Sequence, residues 1–461
     1  MLNISIKELI SVVNGELICG DIEKYGICDI RRISYDSRNV DRETLFAPLL
    51  GENVDSHKYI SQVFMGEGLV SLAQHDVSLP EGDKIIIMVN DTVEAVKNIA
   101  EYCRRNINIP IIGVTGSVGK TTTREMIAIA LSSSKKVFAT PGNKNSQLGT
   151  PITLCDFDDN AEIAVLEMGI SMPGEMSKLA DMVRPDCAVF TNVGVTHIEN
   201  LGTRKGILEE KMHITDHMAD GAAVFINGDN DMLHSAVFPT GIQVRSYGLN
   251  SDCYSYAEDI SDKDGMPVFT AVINGKKLHV ELSVLGKHNI YNALAALSVC
   301  EYYGLDLVKA ADAMKGYSGY LHRGQILYNG DLKIIDDTYN AAPDSMKAAI
   351  DILSSLNCRG RRIAVLADMK ELGDTEIEEH KSIGRYISGK GNIDILITYG
   401  ELAEYMTKAG FDMDRIHTNS ADDLESKLYD ILKPGDAVLF KGSNSMKLFN
   451  MVDKVMSHEF C

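Results

Sequence analysis

The sequence predicts an α/β protein of three domains: a small mixed α/β N-terminal domain, a central parallel-sheet domain built around a phosphate loop, and a C-terminal Rossmann-like α/β domain. Three observations predict it. The length, 461 residues, corresponds to three domains of roughly 100–200 residues each. The stretch 109–124, I-P-I-I-G-V-T-G-S-V-G-K-T-T-T-R, reads as a strand, a glycine loop and a helix start, in that order. Apolar strands then alternate with helical stretches to the C-terminus, with a break near Tyr320. That is the pattern of parallel sheets covered by helices on both faces. The expected boundaries are 1–108, 109–320 and 321–461.

Residues 1–108 contain short strands, turns and one clear apolar strand at 85–89, and Asn108-Ile109-Pro110 connects them to the next unit. In the central block Ile111, Ile112 and Val114 form a buried strand. Gly116 and Gly119 then relieve the steric limits of a tight loop that holds Ser117, and Lys120, Thr121 and Thr122 open the helix. A glycine loop feeding a helix N-terminus turns backbone N–H groups and a partial positive charge toward an anion. In such a loop Lys120 reaches the outer phosphates and the Thr121 hydroxyl meets Mg²⁺. Val114 stands where the longer form of the motif has its first glycine, so this is the shorter T-G-x-x-G-K-T variant. Further strands are expected at 163–167, 188–193 and 222–227, and, after the break, at 333–336, 363–367, 393–398 and 437–440.

Composition narrows the function classes. A hydrophobic fraction of 45% and a charged fraction of 24% are those of an ordinary soluble protein. No run of about 18 apolar residues is present, so no membrane-spanning helix is expected. Residues 1–10 lack the basic start and long apolar core of a signal peptide. Nine cysteines are dispersed without a CxxC pair, as suits reduced thiols in the cytoplasm. A formal charge of −20 argues against nucleic acid and anionic membranes as partners. A phosphorylated ligand then requires local basic pockets. A monomer is expected.

Several constellations carry chemistry. Glu167 ends an apolar strand near the loop. It is either a solvated strand-end carboxylate or, at the sheet's carboxyl edge, a Mg²⁺ holder. His197 closes T-N-V-G-V-T-H and is either structural or a metal or substrate contact on the same edge. Lys211, flanked by Glu209 and Glu210, reads from its neighbours as a solvated helical lysine. Arg323, in His322-Arg323-Gly324, can neutralise a transferring phosphoryl group. The run 336–343, D-D-T-Y-N-A-A-P, suits hydroxyl and base recognition at a sheet edge, or is a helix-capping turn. Lys441-Gly442-Ser443 offers a cation, N–H groups and a hydroxyl to an anion. The run 286–292, G-K-H-N-I-Y-N, opens a helix expected over 293–300.

Taken in order, these segments resemble the Mur ligase superfamily along nearly the whole chain. I-S-Y-D-S-R-N-V from Ile33, L-F-A from Leu45 and G-E-N-V-D-S-H from Gly51 are similar to its uridine-nucleotide domain. V-T-G-S-V-G-K-T-T from Val114 resembles its ATP loop, and T-P-G-N-K-N-S-Q-L-G-T-P-I-T-L from Thr140 its muramoyl-contact loop. E-M-G from Glu167, T-N-V-G-V-T-H from Thr191 and G-K-H-N-I-Y-N-A from Gly286 follow in register. So do D-D-T-Y-N from Asp336, P-D-S-M from Pro343, D-M-K-E-L-G from Asp368 and K-G-S from Lys441. D-M-x-E-L-G and D-D-T-Y-N point to the branch that adds D-alanyl-D-alanine. The D-N-P-R of the branch adding diaminopimelate or lysine is absent, as is the G-x-G-x-x-G of the branches adding the first two residues.

The resemblance implies an ATP-dependent amide ligase that uses ATP and Mg²⁺ in the cytoplasm. Its expected substrates are UDP-N-acetylmuramoyl-tripeptide and D-Ala-D-Ala, joined through an acyl phosphate for peptidoglycan synthesis. It implies that Thr121 and Glu167 hold one Mg²⁺, and His197 with a carbamylated Lys211 the second. It places Asn292 at the adenine, Asp337 at the ribose and Arg323 at the γ-phosphate. Ser37 and Arg38 fall near the uridine nucleotide, and Asn145, Ser146 and Gln147 near the sugar and peptide. Asn340, Lys441, Ser443 and Asn444 fall toward the incoming amine. The chain departs from the family where Ala342 replaces an Asn, Asn444 an Arg, Ala367 a Gly and Ser56 a Gly, and where Met212-His213 follow Lys211. The first two keep open a paralogue that adds another amine. A precursor-binding protein without catalysis is the other alternative, against which the full set Lys120, Thr121, Glu167, His197 and Lys211 stands.

Overall fold

A five-stranded, a nine-stranded and a six-stranded sheet follow one another along the chain, with a two-stranded ribbon of Ile4–Ser5 and Asp29–Ile30 beside the first. The computed structural model describes residues 2–51, 54–78, 82, 84–408 and 413–460. Glu52 and Asn53 of the 51–57 motif, and Cys461, lie outside the described residues.

The N-terminal sheet runs Glu16–Cys19, Ile85–Met88, Val70–Ala73, Thr44–Phe46, Arg32–Ser34, and its first pairing is antiparallel. The helix Thr92–Arg105 follows it. Asp91 caps the helix by accepting from Glu94 N–H at 2.9 Å, and Arg104 and Arg105 occupy the negative end of its dipole. Ala95, Val96, Ile99, Ala100 and Cys103 form its apolar stripe. The stripe packs on the central helices Gly149–Cys155 and Glu175–Val183, so the first two domains share one core.

The central sheet is ordered Val137–Ala139, Ile163–Glu167, Ile111–Thr115, Cys187–Phe190, Ala223–Asn227, Gln243–Gly248, Ser255–Lys263, Met266–Ile273, Lys276–Glu281. The first seven strands are parallel, as expected. The last two extend the expected parallel sheet with antiparallel pairings. Their turns, Asp264-Gly265 and Asn274-Gly275, have φ of 55° and 82°, and 49° and 76°. Paired positive φ at D-G and N-G is the two-residue hairpin signature. The helices Lys120–Ser132 and His288–Tyr302 cover one face of this sheet, the second being longer than the 293–300 expected.

The C-terminal sheet is ordered Gln325–Asn329, Leu332–Asp337, Ala437–Lys441, Arg362–Ala367, Ile395–Tyr399, Asp414–Thr418, parallel after the first pair. Helices pack on both faces, which is the doubly wound layout expected of a Rossmann-like unit. No helix among the described residues is long and apolar enough to cross a membrane.

Candidate active site

Register places the chemistry. Glu167 pairs with Val114 and Phe190 with Thr115, so the carboxylate, the phosphate loop and the 191–197 segment leave the sheet at one carboxyl edge. Ligands bind at this edge in open parallel sheets. Gly119 (φ 81°) is the N-terminal boundary of the helix and supplies no side-chain cap, so the first-turn N–H groups are free for an anion. Gly116 (φ 152°) has no room for a Cβ, which would run into Thr191 Oγ1. Asn192 braces the loop by accepting from Val118 N–H (2.8 Å) through Oδ1 and from Ser117 N–H (3.0 Å) through its backbone oxygen. Thr191 Oγ1 donates to Val118 O at 2.5 Å. The bracing role of Thr191 and Asn192 escaped the sequence reading, because nothing local links 118 to 192.

Lys120 Nζ donates to Gly116 O at 2.7 Å. Burial lowers its pKa, opposed by Glu167 and reinforced by Arg323. Glu167 is 1% exposed, which removes the solvated strand-end alternative. It accepts from Thr121 Oγ1 (2.8 Å) and Asn145 Nδ2 (2.5 Å), and its own N–H donates to Thr140 Oγ1 (2.9 Å). Buried hydroxyl and carboxylate oxygens converging on a phosphate loop match the hard-oxygen preference of Mg²⁺.

Lys211 corrects the reading of a solvated lysine. It is 2% exposed, on the buried face of the helix Arg204–Met212. Ile207 and Leu208, four and three residues earlier, mark that face, and this spacing is the signal that neighbouring Glu209 and Glu210 obscured. Glu210 is itself buried and accepts from Gly174 N–H and Met176 N–H, each at 2.8 Å. Burial, then repulsion from Lys120, holds the Lys211 amine well below the usual lysine range.

Arg124 was missed altogether. It is 1% exposed and donates to the carbonyls of Thr140 and Gly142, with Nε 3.8 Å from Glu167 Oε2 and a guanidinium nitrogen 2.7 Å from Glu125 Oε1. It ties the 140–147 loop to the carboxylate. Arg124→Met removes a guanidinium beside buried Glu167 and the donors to the Thr140 and Gly142 carbonyls, and is expected to lower stability by about 1–3 kcal/mol, read by urea unfolding. A change under about 1 kcal/mol would show the pair to be idle.

A cavity of about 850 Å³ lies between the central and C-terminal domains. Ser117, Gly119, Lys120, Thr121, Thr122 and Glu167 line one side, with Asn145, Ser146, His197 and Asn292. Arg323, Asp337, Asn340 and Lys441 line the other. Arg323 lies over the Tyr339 ring at 3.7 Å. Asp337 and Lys441 are register partners on adjacent strands, and Lys441 Nζ donates to Asp337 Oδ2 at 2.6 Å and Asn340 O at 3.0 Å. Lys441 is thereby committed within its own domain. Asn292 is engaged by Thr123 Oγ1 and Asn289 Oδ1, both at 2.8 Å.

Other expected residues stand apart from the cavity lining. Gln147 donates to Glu175 O (2.8 Å), Ser443 Oγ accepts from Lys370 N–H (2.9 Å), and exposed Asn444 donates to Tyr339 O (3.1 Å). Ser37 and Arg38 lie on the N-terminal domain, where Arg38 pairs with Asp36 at 2.7 Å. A separate cluster of Asp55, His57 and His75 has ligand-type atoms within 4.8 Å of one another. There His57 Nε2 accepts from Gln74 N–H (3.2 Å), so Nδ1 carries the proton toward Asp55 at 2.6 Å and has no lone pair for a metal.

Comparison with known proteins agrees with this geometry. The Mur ligase middle-domain family matches residues 114–300, and the Mur ligase glutamate-ligase-domain family matches 322–444. The UDP-N-acetylmuramoyl-tripeptide–D-alanyl-D-alanine ligase of Bacillus subtilis (strain 168) is 36% identical over 460 residues, 98% of each chain. The chain belongs to the Mur ligase family. Among solved Mur ligases, a crystal structure of MurF from Acinetobacter baumannii superposes with a TM-score of 0.87 at 26% identity, over 99% of each chain. That of MurF from Thermotoga maritima in complex with ADP gives 0.81 at 27%, over 92% of this chain and 97% of that one.

Proposed function

We propose that this Mur ligase joins D-alanyl-D-alanine to UDP-N-acetylmuramoyl-tripeptide at the expense of ATP. The observation that carries the reading is the shared cavity, in which a phosphate loop and buried carboxylate from one domain face Arg323 and Asp337 from another. The tripeptide carboxylate attacks the γ-phosphorus, ADP leaves, and an acyl phosphate forms. The dipeptide amine then adds to the acyl carbon, phosphate leaves, and a proton is lost from nitrogen. Lys120 and Arg323 act on the charge of the transferring phosphoryl group, and Asp337 holds the ribose. Closure of two domains on the cavity excludes water from the acyl phosphate.

The donors fit Mg²⁺. Thr121 and Glu167 would hold one ion, and His197 with Lys211 the second, where Lys211 as a carbamate would present oxygens instead of a cation. Mg²⁺ bound there neutralises triphosphate charge. The N-terminal domain, with Ser37 and Arg38, takes the uridine nucleotide, and the 145–147 loop the sugar and peptide. All eight described cysteines are free thiols, which supports a reducing, cytoplasmic setting.

The test is incubation with UDP-N-acetylmuramoyl-tripeptide, ATP, Mg²⁺ and a panel of amines, read by mass spectrometry. D-Ala-D-Ala is expected to give the dominant adduct. Ala342 and Asn444 remove an amide and a guanidinium from the domain that meets the amine. A different amine as best substrate would assign the chain to another specificity, and no adduct with any amine would end the ligase reading.

A further inference from the structure

The D-M-K-E-L-G segment, 368–373, brings a side chain of the C-terminal domain against an expected metal holder of the central domain. His197 Nδ1 lies 2.6 Å from Glu371 Oε2, an ion-pair contact that lacks hydrogen-bond geometry as it stands. Both residues adopt left-handed backbone without being glycine, at φ 63° and 64°. Such conformations persist only where surroundings impose them, and they cluster at functional sites. The two loops also meet backbone to backbone: a Cβ on Gly373 would stand 3.3 Å from Glu199 Cα. Nearby, a Cβ on Gly194 would stand 2.7 Å from Asp344 Oδ2, a second close approach between the same two domains. The Glu371 side chain is 51% exposed, so core packing does not explain its placement.

We infer that Glu371 is a positioning residue for His197. With Nδ1 facing the carboxylate, Nε2 is the ring nitrogen left for a ligand, and His197 lines the cavity; a small turn of the ring would bring Nδ1–H onto the Glu371 oxygen. A carboxylate behind a metal-holding imidazole fixes its tautomer and ring orientation. Here that carboxylate comes from the other domain. The metal-holding set of the central domain is therefore complete only while the C-terminal domain is seated on it, which links nucleotide readiness to closure. The inference rests on the assignment of His197 as a metal holder.

The test measures Mn²⁺ binding by electron paramagnetic resonance in the presence of ADP, on the full chain, for wild type, Glu371→Ala, Glu371→Gln and His197→Ala. Glu371→Ala is expected to weaken Mn²⁺ about 10- to 100-fold, the usual effect of removing such a partner. Glu371→Gln keeps an oxygen that accepts from Nδ1–H and is expected to retain most of the affinity. Turnover lost in Glu371→Ala is expected to return as Mn²⁺ is raised, which a general structural defect would not show. Weak binding in His197→Ala with wild-type binding in Glu371→Ala overturns the inference and leaves His197 as a metal holder. Wild-type binding in His197→Ala overturns both. A loss in Glu371→Ala that neither Glu371→Gln nor excess Mn²⁺ restores also overturns it.

Discussion

Lys120→Ala is expected to lower turnover by about 10²- to 10³-fold, the loss seen when one preorganised donor is removed from a charge-stabilised transfer. The side chain belongs to the first turn of the helix Lys120–Ser132, and alanine is the best helix former, so the helix survives. What disappears is the one ammonium that the loop itself contributes to the cavity. That ammonium rests on Gly116 O and Ser117 O, at 2.7 and 3.4 Å. An arriving phosphate offers it a charged acceptor in place of two carbonyls. Phosphate release with both substrates present measures the effect, and the circular-dichroism melting profile checks the fold. Turnover at the wild-type level by a folded variant would remove Lys120 from the chemistry.

Lys211→Met separates a buried structural amine from a working one. Burial lowers the Lys211 pKa, and Lys120 lowers it further, which raises the share of the neutral amine, the form that adds CO₂. A thioether of similar volume relieves the desolvation cost and is expected to leave stability unchanged or raised. If Lys211 serves the second metal as proposed, turnover is expected to fall by about 10²-fold or more, as several kcal/mol of charge stabilisation would go with it. Wild-type activity should depend on bicarbonate, and a short carboxylate added to Lys211→Ala should restore part of it. Full activity in Lys211→Met, with no response to bicarbonate, would return Lys211 to a packing role.

How far the site could be read beforehand depends on how local each determinant is. The phosphate loop was legible because strand, glycines, Lys120 and Thr121 lie within one short stretch. The parallel central sheet was legible, and two antiparallel strands extend it. The Asp264-Gly265 and Asn274-Gly275 signals for the antiparallel strands were present and went unused. The sequence around Glu167 is compatible with a metal holder and with a solvated carboxylate, because burial depends on its neighbours across the sheet. Arg124 gave no sign, because its partners Thr140, Gly142 and Glu167 belong to other elements.

The three-domain α/β class, the phosphate loop, the alternation of strands with helices, and the family are all legible in the chain before it folds. Each depends on backbone preference, hydrophobic period or the order of motifs, all written along the chain. Only the tertiary structure decided that Lys211 is buried beside Lys120, that Asp337 is held by Lys441, and that Glu371 reaches His197. These pairings join residues far apart in sequence, and strand register and domain seating bring them together. Electrostatic interactions strengthen as water is excluded, so the charges of the site acquire their character only once the surrounding chain has folded over them.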